Sequence, residues 1–116
     1  VTAVHYPGLP SHPQHKLAGA LLREGWYGGM VSFEIKDAGR REVFRFFEAL
    51  SLCVPGTTLG DVHSLLLYPA HASHRTLSPE ERSRVGIGEG LVRMSVGIEA
   101  LADIVSDLEQ ALATLE

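Results

Sequence analysis

Residues 90–99, Gly-Leu-Val-Arg-Met-Ser-Val-Gly-Ile-Glu, decide the fold, because they alternate like a β-strand with one buried face. The two sides of this predicted strand carry Val92, Met94, Val96 and Ile98 on one face, and Leu91, Arg93, Ser95 and Gly97 on the other. Arg93 has two interpretations. The pattern by itself favours a solvated surface arginine, since arginine is rarely buried without a partner. The alternative is a guanidinium fixed on a rigid strand, where it binds a carboxylate through two parallel hydrogen bonds.

The same patterns predict the elements on either side of this strand. Short strands are predicted at residues 1–6, 30–36, 52–54 and 64–68, and helices at residues 11–25, 40–50, 78–86 and 101–116. Because strands and helices intermix, the sequence predicts a two-layer α/β sandwich. We expect a small, mostly antiparallel sheet of about four strands, with helices on one face. Residues 1–116 are expected to form a single domain.

Capping residues and apolar stripes mark three of the predicted helices. Ser78 is an N-cap followed by Pro79 and, three residues after the cap, by Glu81. The first helix is predicted to start at Ser11 with Gln14 in a capping box, and its apolar stripe is Leu17, Ala20 and Leu21. The last helix has an apolar stripe of Leu101, Ile104, Val105, Leu108, Leu112 and Leu115.

The composition is that of an ordinary globular protein, with 45% hydrophobic residues, 21% charged residues and a net charge of −4. No apolar run approaches the roughly 20 residues that span a bilayer, and the mild acidity argues against nucleic acid as a partner. The single cysteine, Cys53, excludes an internal disulfide and fits a reducing, cytoplasmic location. The chain starts at Val1 rather than at a methionine, which we interpret as the sign of a fragment or a processed protein.

The six histidines offer weak evidence for a metal site. His12/His15 and His71/His74 are each three residues apart, whereas the helical zinc pair is spaced by four with a glutamate between. Zinc also needs a third ligand that the sequence does not nominate. We therefore expect no metal, and assign no role to His63 or His71.

The usual catalytic motifs are missing as well. Cys53 has no charged neighbour to lower its pKa, so a buried, inert thiol is expected. Neither of the two lysines, Lys16 and Lys36, is placed like a desolvated Schiff-base amine. Glycines 86, 88 and 90 lack the dinucleotide-binding spacing and indicate a turn. What is left is Arg93 and an irregular loop predicted at residues 55–60, which together suggest a binding half-site.

Six motifs in unbroken order carry a family resemblance. They are Tyr-Pro-Gly-Leu-Pro-Ser-His-Pro-Gln-His (6–15), Gly-Gly-Met-Val-Ser-Phe (28–33), Thr-Leu-Gly-Asp (58–61), Pro-Ala with Ser-His-Arg (69–70 and 73–75), Leu-Ser-Pro-Glu-Glu-Arg (77–82) and Gly-Leu-Val-Arg-Met-Ser-Val-Gly (90–97). The chain resembles the Cys/Met-metabolism family of pyridoxal-phosphate enzymes, which includes cystathionine synthases and lyases, methionine γ-lyase and O-acetylhomoserine sulfhydrylase. The resemblance covers nearly the whole chain, but only the C-terminal domain of the family.

This resemblance implies the small C-terminal domain of a fold-type I, aminotransferase-like enzyme. A large N-terminal domain, absent here, would carry the Schiff-base lysine and the other groups that bind pyridoxal 5′-phosphate. The isolated chain is then expected to hold no cofactor, to contain no catalytic residue and to be inactive. The full-length enzyme is expected to be a homotetramer in which the cofactor acts as an electron sink during elimination or replacement at Cβ or Cγ.

The resemblance also assigns the substrate-binding residues. The family arginine of Leu-Val-Arg-x-Ser-Val-Gly, which grips the substrate α-carboxylate, corresponds to Arg93. Thr58 replaces the serine of the family Ser-Leu-Gly loop, and Thr57 stands where cystathionine γ-synthases and γ-lyases usually carry glutamate. Thr57 and Asp61 therefore favour the methionine γ-lyase and sulfhydrylase side of the family.

Two expectations about the chain as a whole follow from the resemblance. Because the large domain would cover the face that bears Arg93, Leu59 and Leu91 should be exposed there in this chain. The expected substrates are cysteine, methionine, a homoserine ester or cystathionine.

The competing hypothesis is a stand-alone, non-catalytic interaction module that retains this fold.

Overall fold

The computed structural model describes residues 1–116 and contains one sheet and four helices. The strands are β1 (Ala3–His5), β2 (Met30–Glu34), β3 (Val54–Pro55), β4 (Leu65–Leu67) and β5 (Leu91–Ser95), and the helices are α1 (His15–Leu21), α2 (Arg40–Ala49), α3 (Pro79–Arg84) and α4 (Leu101–Ala113). The sheet order is β1-β2-β5-β4-β3, and only the β3–β4 pair is parallel. The predicted fold class, a small and mostly antiparallel sheet with helices, is confirmed. The sheet has five strands rather than about four. The strands at its two edges, β1 and β3, are only three and two residues long.

Strand β5 lies at the centre of the sheet, as the alternating pattern requires. Arg93 is opposite Ser32 on β2 and Leu67 on β4, whereas Val92 is opposite Phe33. Val92 and Phe33 are buried, with 0% and 8% of their surface exposed. The register therefore separates an apolar face from the face that bears Arg93.

Helices α2 and α4 supply the packing against the apolar face. Val43 and Phe46 of α2 are fully buried, and the Phe46 ring meets the Phe33 ring edge to face at a centroid distance of 6.1 Å. Ile104 and Ala111 of α4 belong to the same core. Each large side chain buried in this way contributes about 1.5–3 kcal/mol to the free energy of folding.

The buried face of α4 differs from the predicted apolar stripe. Leu101 and Val105 are 74% and 42% exposed, whereas Asp107 is only 6% exposed. The helix is rotated in this way because the Asp107 carboxylate points toward the chain at residues 51–53, where it accepts backbone hydrogen bonds.

Helix α1 is shorter than predicted and buries none of its residues. The N–H groups of His12 and His15 donate to carbonyls three residues back, so successive turns occupy the region where Ser11 was expected to start the helix. Gln14 is the N-cap and makes no side-chain capping bond. Leu17 and Leu21, the predicted stripe, are 54% and 74% exposed.

Strand β5 ends at Ser95, three residues before Ile98, the last residue of the predicted alternation. Beyond Ser95 the backbone leaves the ladder, and the N–H of Ile98 donates to the carbonyl of Val62 at 2.9 Å. The Ile98 side chain is 81% exposed rather than buried. None of the four helices has the length and apolarity needed to cross a membrane.

Candidate functional site

The guanidinium of Arg93 is only partly satisfied by its own chain. Its Nη2 donates to the carbonyl oxygen of Thr57 at 3.1 Å, and its Nε is buried without a hydrogen-bond partner. Arg82 also has a buried Nε without a partner, but its guanidinium forms an ion pair with Glu89 and donates to Leu77. No carboxylate of the chain forms an ion pair with Arg93. A buried donor without an acceptor is costly, so this geometry favours the anion-binding interpretation over a merely solvated arginine.

Residues 56–63, which we call the site loop, lie over the Arg93 face. The Thr57 carbonyl contacts Arg93, and the N–H of Gly60 donates to Ser95 Oγ at 3.1 Å. Gly60 has a φ of 68°, a conformation that glycine adopts without strain. The loop was predicted to start at Pro55, but Pro55 pairs with Leu66 in the edge strand β3. Proline is tolerated at this position because an edge strand does not need every N–H.

The turn within the site loop is closed by Asp61. Its Oδ1 accepts hydrogen bonds from the backbone N–H of His63 and from His63 Nδ1, both at 2.9 Å. The backbone hydrogen bond from His63 lowers the pKa of Asp61, and the side-chain bond acts in the same direction. A carboxylate that bonds a backbone N–H two residues on is a common way to fix a turn.

The far end of the site loop is held by Ser64 and Glu99. The Ser64 N–H donates to Glu99 Oε1 at 2.7 Å, and its hydroxyl donates to Glu99 Oε2 at 2.8 Å. The same hydroxyl oxygen accepts the N–H of Gly97 at 3.0 Å. Ser64 is fully buried. The backbone hydrogen bond from Ser64 is the main cause that lowers the pKa of Glu99.

Gly97 is required where the loop meets the end of β5. A Cβ at this position would collide with the Val62 carbonyl oxygen and the His63 backbone. The close approach lets the Ile98 N–H reach Val62, and it fixes the distance between the loop and the strand that carries Arg93.

The chain before the loop is held by Asp107. Its carboxylate accepts the N–H groups of Ser51, Leu52 and Cys53 at 2.8, 3.0 and 2.8 Å. Burial alone would raise the pKa of Asp107, but these bonds outweigh it and the net pKa is lowered. Burial, followed by the nearby Asp107 charge, raises the pKa of the Cys53 thiol to about 12. This is the environment of an inert cysteine, in agreement with its sequence.

The structure brings Thr57 to Arg93, but through the backbone rather than the side chain. Thr57 and Thr58 are exposed, and neither hydroxyl bonds within the chain, so both remain available to a ligand. Leu59 is 56% exposed, as expected, whereas Leu91 is only 8% exposed, so the expectation for Leu91 was wrong. Leu91 lies opposite Glu34 of β2 within the sheet, and its N–H donates to the Gly88 carbonyl at 3.2 Å.

Sequence reasoning missed the residues that hold the loop: Ser95, Ser64, Gly97 and Glu99. A period of two from Arg93 marks Ser95 as a neighbour on the same face. The Ser64–Glu99 contact joins residues 35 apart in the chain and has no local signal.

The remaining polar residues do not assemble a metal or cofactor site. No three His, Cys, Asp or Glu side chains come together as metal ligands. The His71 ring packs edge to face on Phe44 at 4.9 Å. Lys16 and Lys36 are both exposed, so this chain offers no enclosed amine to hold a pyridoxal cofactor, and its residues alone do not fit that group.

Comparison with known proteins gives consistent results. A family described as Cys/Met metabolism PLP-dependent enzyme matches residues 1–113. The chain is 44% identical to O-succinylhomoserine sulfhydrylase of Pseudomonas aeruginosa, over 99% of the chain and 28% of that protein. It is 46% identical to L-methionine gamma-lyase of Pseudomonas putida, over 97% of the chain and 27% of that protein.

A solved structure gives the same result for the fold. Cystathionine gamma synthase from Xanthomonas oryzae pv. oryzae, in complex with aminoacrylate and cysteine, superposes with a TM-score of 0.86 at 38% identity, over 99% of the chain and 29% of that protein. The chain thus spans a little more than a quarter of the length of the relatives it matches.

Proposed function

Because the chain belongs to the Cys/Met metabolism family of PLP-dependent enzymes, we propose that it is the C-terminal domain of such an enzyme and that Arg93 binds the α-carboxylate of the substrate. The single observation that carries this proposal is the Arg93 guanidinium, which has a buried donor without a partner and no carboxylate of its own chain. A substrate carboxylate would supply the missing charge and acceptors. The central strand would hold the guanidinium in one place, which helps to position the reacting carbon.

Thr57 and Thr58 would complete the carboxylate site. Both lie on the exposed side of the site loop, and their hydroxyl groups are not used by the chain. A threonine hydroxyl can donate to a carboxylate oxygen. Neither side chain is charged, so they would not pair with a second ammonium group on the substrate. This favours methionine, cysteine or a homoserine ester over cystathionine as the substrate.

The reaction would be elimination or replacement at Cβ or Cγ, as in a C–S lyase or a sulfhydrylase. Since the residues of this chain do not fit pyridoxal phosphate, we assign the cofactor, its lysine and the catalytic steps to a large N-terminal domain. We further propose that the assembled enzyme is a cytoplasmic homotetramer. The coding sequence upstream of Val1 tests the domain assignment: a large domain with a lysine for the cofactor supports it, and a start codon at this point supports the non-catalytic module instead.

The decisive test for Arg93 is its replacement by lysine in the full-length protein. Lysine keeps the charge but loses the planar, two-point grip on a carboxylate. Loss of one charge-assisted hydrogen bond costs about 1.5–3 kcal/mol, which corresponds to roughly a ten- to hundredfold loss in kcat/KM. The measurement compares wild type and Arg93→Lys on a sulfur amino acid and on its decarboxylated amine, together with Tm. Equal activity on the amino acid, or a loss that follows Tm, would return Arg93 to the surface-arginine interpretation.

The cofactor assignment is tested on the 116-residue chain itself. When the chain is mixed with pyridoxal phosphate, no stable absorbance band of a bound cofactor should form, since both lysines are exposed and other cofactor ligands are missing. Borohydride reduction followed by mass spectrometry measures any covalent adduct. A stoichiometric adduct on Lys16 or Lys36 would contradict the assignment.

A further inference from the structure

We propose that Glu99 is a positioning residue for the substrate carboxylate, because it holds the site loop in the place where Thr57 and Thr58 lie beside Arg93. Glu99 would not touch the substrate itself. Its role would be exerted through Ser64 and the loop backbone. This inference rests on the proposed function of Arg93, and it assigns a role to a residue outside the six motifs that carried the family resemblance.

The site loop is anchored at several points to β5 and to the residues that follow it. The middle of the loop is bonded to β5, through Thr57 to Arg93 and through Gly60 to Ser95. Its end is bonded to the residues that follow β5: Ser64 to Gly97 and Glu99, and Val62 to Ile98. The continuous segment 93–99 therefore provides the hydrogen-bond partners that hold the loop from Thr57 to Ser64.

Glu99 provides the strongest of these anchors. Both of its carboxylate oxygens are used, and the two bonds to Ser64 are 2.7 and 2.8 Å long. Hydrogen bonds to an ionised acceptor are roughly twice as strong as neutral ones. No Arg or Lys pairs with Glu99, so its charge is satisfied mainly by the loop. The lowered pKa agrees with an ionised Glu99 at neutral pH.

The Ser64 hydroxyl couples the end of the loop to the residues that follow β5. It donates to Glu99 Oε2 and accepts from the Gly97 N–H, so one buried side chain fixes both segments. When Glu99 loses its charge, Ser64 and the loop end lose their best acceptor. The Thr57 carbonyl, whose place against Arg93 depends on the path of the loop, would then shift, and Thr58 would shift with it.

The experiment uses the full-length protein with its cofactor and the variants Glu99→Gln, Ser64→Ala and Arg93→Lys. Glu42→Gln is the matched control, because Glu42 also accepts a backbone N–H, from Gly39 at 3.1 Å, but lies beside Ile35 and Leu115. The substrate is whichever of L-methionine, L-cysteine and a homoserine ester the wild type turns over best, compared with its decarboxylated amine. The readouts are KM and kcat for both compounds, Tm, and hydrogen exchange of residues 57–64 by mass spectrometry.

With Glu99→Gln we expect KM for the amino acid to rise roughly three- to tenfold, as for the loss of about one hydrogen bond. We expect a smaller change in kcat and no change in KM for the amine. Exchange of residues 57–64 should become faster, while exchange in β5 stays as in the wild type. Ser64→Ala should act in the same direction, and Glu42→Gln should show neither effect.

The positioning role is overturned if Glu99→Gln leaves exchange of residues 57–64 unchanged, or if KM rises equally for the amino acid and the amine. Should Glu99→Gln fail to fold, Ser64→Ala decides by the same two criteria. If Arg93→Lys shows the carboxylate-selective loss and the Glu99 and Ser64 variants do not, only the role of Glu99 falls. If Arg93→Lys shows no selective loss, the proposed function fails and the role of Glu99 falls with it.

Discussion

The segment from Ser51 to Ser64 is held at its two ends by carboxylates in very different surroundings. At the start of the segment, Asp107 of the core helix α4 is only 6% exposed, and its carboxylate accepts the backbone N–H groups of residues 51–53. At the end, the partly exposed Glu99 binds one N–H and one hydroxyl, both of Ser64. A carboxylate therefore anchors the segment to the core helix α4 at one end and to the residues that follow β5 at the other. Stability should depend mainly on Asp107, and the geometry of the site mainly on Glu99.

The strongest test of this contrast is Asp107→Ala. An N–H that loses its acceptor costs about 1–3 kcal/mol when it is buried, as that of Cys53 is, and less when it is partly buried, as those of Ser51 and Leu52 are. The free energy of unfolding should therefore fall by about 3 kcal/mol. Urea denaturation followed by circular dichroism measures the change. Asp103→Ala is the matched control, because Asp103 lies exposed in the first turn of the same helix and should change stability by less than about 1 kcal/mol. Equal effects of the two variants would break the contrast.

Gly97→Ala tests the end of the segment at the site. The added methyl group would collide with the Val62 carbonyl and the His63 backbone, and overpacking of this kind costs about 1–3 kcal/mol. Because the backbone of the loop must move, KM for the amino acid should rise more than the loss of stability accounts for. Gly29→Ala serves as the control, since its methyl group would lie at an ordinary 3.5 Å from Val96. Wild-type KM in Gly97→Ala would show that the loop tolerates displacement without effect on the site.

The smallest expected effect is the dependence of stability on pH. The pKa of Asp107 is lower in the folded protein than its ordinary value, so the unfolded chain binds the proton more tightly. The contribution of Asp107 is therefore complete above about pH 4, near the unfolded pKa, and is lost as the pH falls through the folded pKa. Tm measured from pH 7 to pH 2.5 should fall less steeply at the acid end in Asp107→Asn than in the wild type. Parallel curves would mean that Asp107 does not carry this dependence.

Secondary-structure elements that are determined by residues close together in the chain could be predicted from the sequence. Helix α3 starts with the predicted capping box, in which the Glu81 N–H donates to Ser78 Oγ at 3.2 Å and the Ser78 N–H donates to Glu81 Oε2 at 2.8 Å. The face of α4 could not be predicted. Asp107 turns inward to satisfy N–H groups more than 50 residues away in the chain, so the burial of this helix depends on a partner that no local pattern contains.

In the candidate site too, one residue could be predicted from a local pattern, whereas the contacts around it could not. Arg93 was identifiable because alternation along a strand is a local property, and its mid-strand place is where the structure has it. Thr57 was predicted only as a substrate-binding residue, and the hydrogen bond between its carbonyl and Arg93 was not predicted, because backbone geometry in a loop is not encoded by residue type alone. Glu99 had no signal, since its importance comes only from the fold that places Ser64 against it.

The short edge strand β3 has a consequence for how the sheet ends. Pro55 is its last residue and pairs with β4 on one side, and proline has no N–H to offer on the other. The opposite edge, β1, is only three residues long. Neither border presents a long row of free N–H and C=O groups, so the sheet is poorly suited to recruit a strand from a neighbouring molecule and grow into a fibril.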